Sequence, residues 1–233
     1  MVDTLYQYNM DIPGVIHGVQ DDYRRLFYSD HMAALRVPVT IQAGYGLIKS
    51  GTVMALNKSA AGNVAKLVPY AATTFPASVD AARAYLVANS GTADKFVYVS
   101  MDDSYKFAVG DDVILNDNTT TAENKGAITA IDRTSESHRA KITFTAAIGG
   151  TAFTTARYAH ILVEAGDSSN NYSDAVGVLE HSKDTGTGLN SAGAVASMVL
   201  GNCVLYDGVL FNMDAAAKTD LSATVYGQYI YMK

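Results

Sequence analysis

The sequence predicts a mainly β protein with a few short helices, and three observations carry that expectation. Tyrosine is abundant at 15 residues and tryptophan is absent, while Gly, Ala, Thr and Val dominate, a mixture suited to short strands and turns. Short apolar runs recur between clusters of Gly, Asn, Asp and Ser, which punctuate strands. The last third, from Asp174 to Met232, reads in order as strand, polar loop, two strands, short helix and closing strand.

With 233 residues, one large domain or two small ones is expected, and either buries an adequate core. The net charge of −6 disfavours binding to a phosphate backbone, which needs a basic face, so no nucleic-acid partner is expected. No apolar run is long enough to span a bilayer, and no membrane partner is expected. The opening Met1-Val2-Asp3-Thr4-Leu5 lacks a basic start and apolar core of a secretory signal, so synthesis in the cytoplasm is the default. The single cysteine, Cys203, excludes an internal disulfide and reads as a small buried hydrophobe.

Residues 1–37 differ from the rest. Leu5, Tyr6, Tyr8, Met10, Ile12 and Val15 follow neither a two-residue nor a helical period, and Pro13-Gly14 interrupts them. So apolar a segment is better placed along a partner than in solvent, although packing on its own domain stays open. Tyr23, Leu26, Phe27, Ala34 and Leu35 fall near helical spacing after Asp21-Asp22 and predict a short helix.

Pro38 opens a β region with strands expected at Val39 to Ile41, Leu47-Ile48, Thr52 to Leu56 and Val64 to Val68. From about Thr73 to Asn171 the chain makes an excursion. Ser78 is placed to cap a helix from Val79 to Ala88, closed by Asn89-Ser90-Gly91. Strands are then expected at Phe96 to Ser100, Val113 to Leu115, Ala127 to Ile131, Lys141 to Thr145 and Tyr158 to Val163. Five short strands at this spacing suggest a small closed or half-closed barrel.

Beyond it come the strand around Val176 to Leu179, a loop from Asp184 to Gly193, and strands Ala194 to Leu200 and Cys203 to Tyr206. The Gly201-Asn202 link between them suits a type II′ hairpin turn. Asp214 is a good N-cap for a helix beginning Ala215-Ala216-Ala217-Lys218, and such a short helix must lie on a sheet. Gln228 to Met232 alternates as a final strand.

This order resembles the lambda-type head decoration proteins of tailed bacteriophages. The residues that carry the resemblance are Ala175 to Leu179, Val199-Leu200, Val204 to Tyr206, Leu210-Phe211, the helix from Asp214 to Ala223 and the closing strand. Upstream, Gly44 to Ile48 and Gly51 to Leu56 add to it. These pieces cover less than half of the chain. The resemblance implies a decoration-type β base from 38–72 and 172–233, an N-terminal capsid-binding arm over 1–37, and an inserted helix plus small barrel over 73–171. It further implies a homotrimer on the outer surface of the virion capsid, bound to the phage major capsid protein, cementing the expanded shell against packaged DNA. The expected capsid contacts are Leu5, Tyr6, Tyr8, Met10, Ile12 and Val15. The long insertion departs from the compact lambda type and opens one alternative, a virion-surface module binding host glycans; a tail or baseplate structural subunit is a second.

No catalytic constellation is visible. His17, His31, His138, His160 and His181 occur singly, without zinc-ligand spacing. Asp102-Asp103, Asp111-Asp112 and Asn116-Asp117-Asn118 are oxygen-rich, but they lack the alternation and closing Glu of an EF-hand loop and read as turn formers. Asp184 to Leu189 is Gly-rich but lacks the Lys-Ser/Thr of a P-loop, and a flexible loop is expected. No cofactor is implied, and a non-enzymatic role is expected.

Overall fold

The structure is a computed structural model, described over residues 26–27, 34–57, 66–71, 82–117, 123–150, 152–163, 166–167, 172–224 and 229–232. It is mainly β, with one α-helix among the described residues. Five strands close a barrel: β1 (Leu35–Ile41), β3 (Val53–Leu56), β4 (Leu67–Pro69), β13 (Ala175–Leu179) and β15 (Ala194–Gly201). Their order is β1-β15-β13-β3-β4, and the β1–β4 pairing at Ile41 and Leu67 closes the ring. Three of these strands precede the excursion and two follow it, so the barrel exists only once both flanks have met.

Ile41, Val53, Leu67, Val68, Val178, Leu179, Met198 and Val199 of these strands are all buried. Gly177 on β13 is required by close approach. A Cβ there would lie 2.7 Å from Met198 Cγ and 2.8 Å from the Val199 carbonyl oxygen, so only a residue without a side chain lets β13 and β15 meet. A short pair, β2 (Leu47–Ile48) with β14 (Lys183–Asp184), flanks the barrel.

The excursion forms a six-stranded sheet from β5 (Arg83–Tyr85), β6 (Phe96–Ser100), β7 (Asp112–Asn116), β8 (Glu123–Asp132), β9 (Arg139–Phe144) and β10 (His160–Val163). The order is β5-β10-β7-β8-β9-β6. Its two edges meet: Leu86 bridges Val99, and the Val87 N–H donates to the Tyr98 carbonyl at 2.9 Å. The sheet thus curls into a second, half-closed barrel around Val97, Val99, Val113, Leu115, Ile128, Ile142, Phe144 and Ile161, and these residues join those of the first barrel in one continuous core. A two-stranded pair, β11 (Gly166–Asp167) with β12 (Tyr172–Ser173), lies on the return path.

After the barrel, β16 (Cys203–Tyr206) pairs in parallel with β17 (Tyr229–Met232), and α1 (Ala215–Ala223) makes the crossover. The Asp214 carboxylate accepts from the Ala217 N–H at 2.7 Å, as its sequence context predicts. Ala217 and Leu221 are fully buried, and Asp220 accepts from the Ala175 N–H at 3.0 Å, which docks α1 on β13. Burial of a leucine such as Leu221 contributes roughly 1.5–3 kcal/mol, enough to hold a nine-residue helix that is marginal alone.

Several expectations are corrected. The described part of the helix expected from Val79 to Ala88 is strand β5. Ala82, Arg83, Ala84 and Leu86 are buried, and β5 pairs with β10, so tertiary pairing overrides the propensity of an Ala-rich run. The sheet accordingly has six strands rather than five. Tyr158 does not begin β10; it is left-handed (φ 55) at the end of a 3-10 turn, and the strand starts at His160. Gly201-Asn202 is not a hairpin. Asn202 has φ 57, whereas a type II′ turn needs positive φ only at its first central residue; β15 pairs with β1 and β13, and β16 leaves for β17. The first strand begins at Leu35 rather than Pro38. Within the expected N-terminal helix, Phe27 instead makes an antiparallel bridge to Leu205. The loop after Asp184 is fastened rather than free: Thr185 is fully buried, its hydroxyl donates to the Gly46 carbonyl at 3.0 Å and accepts from the Tyr45 N–H at 3.0 Å.

Candidate functional site

The expected capsid contacts Leu5, Tyr6, Tyr8, Met10, Ile12 and Val15 lie outside the described residues. What the structure gives is the point where that segment enters the body. Leu26 is buried, and its carbonyl accepts from the Tyr206 N–H at 3.2 Å. The Arg36 guanidinium sits 5.6 Å from the Phe27 ring and donates to Glu180 at 2.6 Å, and Ser197 donates to the same carboxylate at 2.6 Å. Leu26 and Phe27 therefore belong to the body, which shortens any arm at its C-terminal end.

The two barrels are joined by a buried polar contact. The Gln42 amide donates to the Lys106 carbonyl and accepts from the Asn57 amide at 2.9 Å. Lys106 itself donates to the Arg83 carbonyl at 3.1 Å and pairs with Asp103 at 2.7 Å. Gly44 (φ 96) lets the backbones touch, since a Cβ there would lie 2.7 Å from the Tyr105 carbonyl oxygen. Burial, with Asp111 and Asp103 nearby, pushes the Tyr45 hydroxyl far up, so it stays neutral.

The face of the excursion sheet formed by β6, β9 and β8 carries the candidate site. β6 and β9 alternate strictly between buried and half-exposed positions, which sends Phe96, Tyr98 and Ser100, with Arg139, Lys141 and Thr143, outward. The register sets Tyr98 opposite Lys141 and Lys141 opposite Asp132, one row across three strands. That row depends on a bulge. Ile128 pairs with Phe144 on the buried side, and continuing that register would set Asp132 opposite the buried Ala140. The shift between Ile128 and Ala130 instead pairs Asp132 with Lys141 and turns its carboxylate outward.

The β8–β9 loop walls the row. Asp132 accepts from the Thr134 N–H at 2.9 Å, the Thr134 hydroxyl at 3.0 Å, the Ser135 N–H at 3.1 Å and the Ser135 hydroxyl. These bonds, the Ser135 hydroxyl first, hold its carboxyl well below the usual range, so it is ionised. Glu136 accepts from Arg139 Nε and Nη2, and Arg139 lies 4.1 Å over the Tyr98 ring. The Lys141 ammonium sits 4.0 Å over Phe96, which packs edge-on to Tyr98 at 5.5 Å. Tyr98, Asp132, Ser135, Glu136, Arg139 and Lys141 enclose an open cleft of about 160 Å³.

Among the described residues, the histidines do not contribute. His138 and His181 are exposed. His160 is buried between Tyr85, edge-on at 5.7 Å, and the Tyr158 carbonyl at 2.9 Å; burial first, then the Arg83 charge, lowers it to about 4. Burial raises the Cys203 thiol to about 11. Asp111 closes its own turn by accepting from the Ala108 N–H at 2.8 Å, and Asp117 faces Arg157 at 3.6 Å. Among the described residues no three His, Cys, Asp or Glu side chains gather as a metal site, and no helix is long and apolar enough to cross a membrane.

No family model matches the chain, no curated protein matches it, and no solved structure matches it. The sequence leaves a host-glycan-binding module open as an alternative but does not single out Tyr98 or its neighbours. The local signals were present: alternation in Phe96 to Ser100 and Arg139 to Phe144, and the turn-forming run from Asp132 to Ser135.

Proposed function

We propose that this protein is a structural component of a tailed-phage head, a decoration or cement protein that binds the outside of the expanded capsid shell as a trimer. The observation that supports this most directly is a barrel closed by chain from both flanks of a long excursion, with a second barrel mounted on it through a buried polar joint. Such a body suits a mechanical task. The apolar sequence upstream of Leu26 supplies a segment for strand addition to a capsid sheet edge, where main-chain pairing tolerates an irregular side-chain pattern. Binding that occurs only in the expanded lattice stabilises that lattice by linkage, and repetition over the shell makes weak contacts add up.

The test uses shells of the major capsid protein encoded beside this gene. The expected result is saturable binding to expanded shells, little to unexpanded ones, and loss of binding on deletion of residues 1–19 with the circular dichroism of the body unchanged. Equal binding to both shell forms, or full binding after the deletion, removes the proposal. A second function class, attachment to host-surface glycans, is favoured by the outward cleft around Tyr98.

A further inference from the structure

We infer that the cleft on β6, β9 and β8 is a binding site for one neutral saccharide ring, bordered by Tyr98 and contacted by Lys141, Asp132, Ser135 and Glu136. The inference names the ligand class for the glycan-attachment reading and stands independently of shell binding.

Charge argues for neutrality. Asp132 and Glu136 are balanced by Arg139 and Lys141 around one small cleft. An anionic ligand would meet two carboxylates and a cationic one two cations, whereas a hydroxyl both donates and accepts and can satisfy either kind of neighbour. Volume argues for a single ring: sites for drug-sized ligands run about 300–1,000 Å³, and this cleft holds about 160 Å³.

The groups are also held in position before any ligand arrives. Four hydrogen bonds from Thr134 and Ser135 fix the Asp132 carboxylate, and Glu136 fixes Arg139, which immobilises Tyr98 by covering its ring. Groups ordered in advance lose little entropy on binding. The Lys141 ammonium lies over Phe96 and makes no ion pair or hydrogen bond among the described residues, so it can donate to a ligand oxygen. The half-exposed Arg139–Glu136 pair contributes little to folding, since an ion pair open to solvent gains little in high dielectric and costs side-chain entropy. Its clamp on Tyr98 is therefore better explained by the surface it shapes than by stability.

The test is an array of neutral oligosaccharides with their sialylated counterparts, probed with the full-length protein, followed by titration of the best neutral ligand. The expected result is saturable binding to neutral sugars. Lys141→Met, which keeps the stem over Phe96 but removes the ammonium, should bind about tenfold more weakly, the loss of one charge-assisted hydrogen bond. Tyr98→Ala should weaken binding at least as much, and Val195→Ser on the barrel should leave it unchanged. Melting curves confirm that each variant is folded. Absence of binding, binding restricted to sialylated glycans, or binding untouched by both Lys141→Met and Tyr98→Ala would overturn the site, while shell binding by the same preparation is scored separately.

Discussion

The two halves of the six-stranded sheet are built to different rules. In β7 and β10 consecutive residues are buried: Val113 to Asn116 on one strand, and all of His160 to Val163 on the other. One face joins the main core, and the other, through Ile114 and Leu162, packs with Ala71 just beyond barrel strand β4. In β6 and β9 every second residue is outward and polar or aromatic. The half covered on both faces fixes the excursion to the barrel, and the half covered on one face is free to present chemistry. Covered strands read as continuous apolar runs and half-covered ones as alternation.

The sharpest way to break this division is to delete Thr129, the extra residue of the β8 bulge, together with Ala130. With Ile128 kept opposite Phe144, Ile131 would then fall opposite Thr143, and Asp132 opposite buried Ile142 instead of Lys141. A carboxylate forced toward the core without a partner costs several kcal/mol, on the order of 3–5. Chemical denaturation should show a loss of that size, whereas deleting Thr129 alone keeps Asp132 opposite Lys141 and should cost less; a stability unchanged from wild type in the double deletion would mean that the β8 register does not set the outward row.

The covered half has its own vulnerability in His160, which faces Arg83, Asp117, Tyr85 and the Tyr158 carbonyl. Its folded value is about 4 against an ordinary 6.5. Below pH 6.5 the unfolded chain takes up a proton that the folded chain refuses, so stability falls as pH drops and levels off near pH 4. The window corresponds to about 3 kcal/mol. Denaturation midpoints at pH 7, 5.5 and 4 measure it. His160→Gln should flatten that part of the profile, and an unaltered slope in the variant would assign the acid sensitivity elsewhere.

The division also explains what was legible. Phe96 to Ser100 was readable with its bounds because alternation is a local property, and Asp214 was readable as a cap because its partner, the Ala217 N–H, is three residues away. Gly201-Asn202 announced a change of direction but not a partner; which strand receives Ala194 to Gly201 is decided by β1 and β13, far away in sequence. Ala82 to Leu86 suited a helix by propensity, and only the pairing with β10 made it a strand. The Tyr98, Lys141 and Asp132 row was illegible for the same reason, since one bulged residue determines whether the third member faces outward.

Gly177→Ala carries the comparison into the first barrel. Its Cβ would press on Met198 Cγ and the Val199 carbonyl oxygen, and the backbone oxygen cannot swing aside as a side chain can. Overpacking of this kind costs typically about 1–3 kcal/mol. Because one core runs through both barrels, the expected melt is a single transition at lower temperature, followed by near-ultraviolet and far-ultraviolet signals together. Two separated transitions would show that the barrels fold independently and that the Gln42–Lys106 joint couples them weakly.

The smallest effect belongs to Asp214→Ala. The carboxylate caps α1 through the Ala217 N–H and accepts from the Tyr70 hydroxyl at 3.3 Å, so one side chain ties the crossover helix to the segment just after β4. Loss of an N-cap costs about 1 kcal/mol. If the cap acts alone, Asp214→Asn should restore most of that loss, because an amide oxygen still accepts from the helix. If the tie to Tyr70 matters as much, Tyr70→Phe should lower stability in the wild type and have no further effect in Asp214→Ala. A double-mutant cycle separates the two contributions, and full additivity would leave the helix cap as the whole of the role of Asp214.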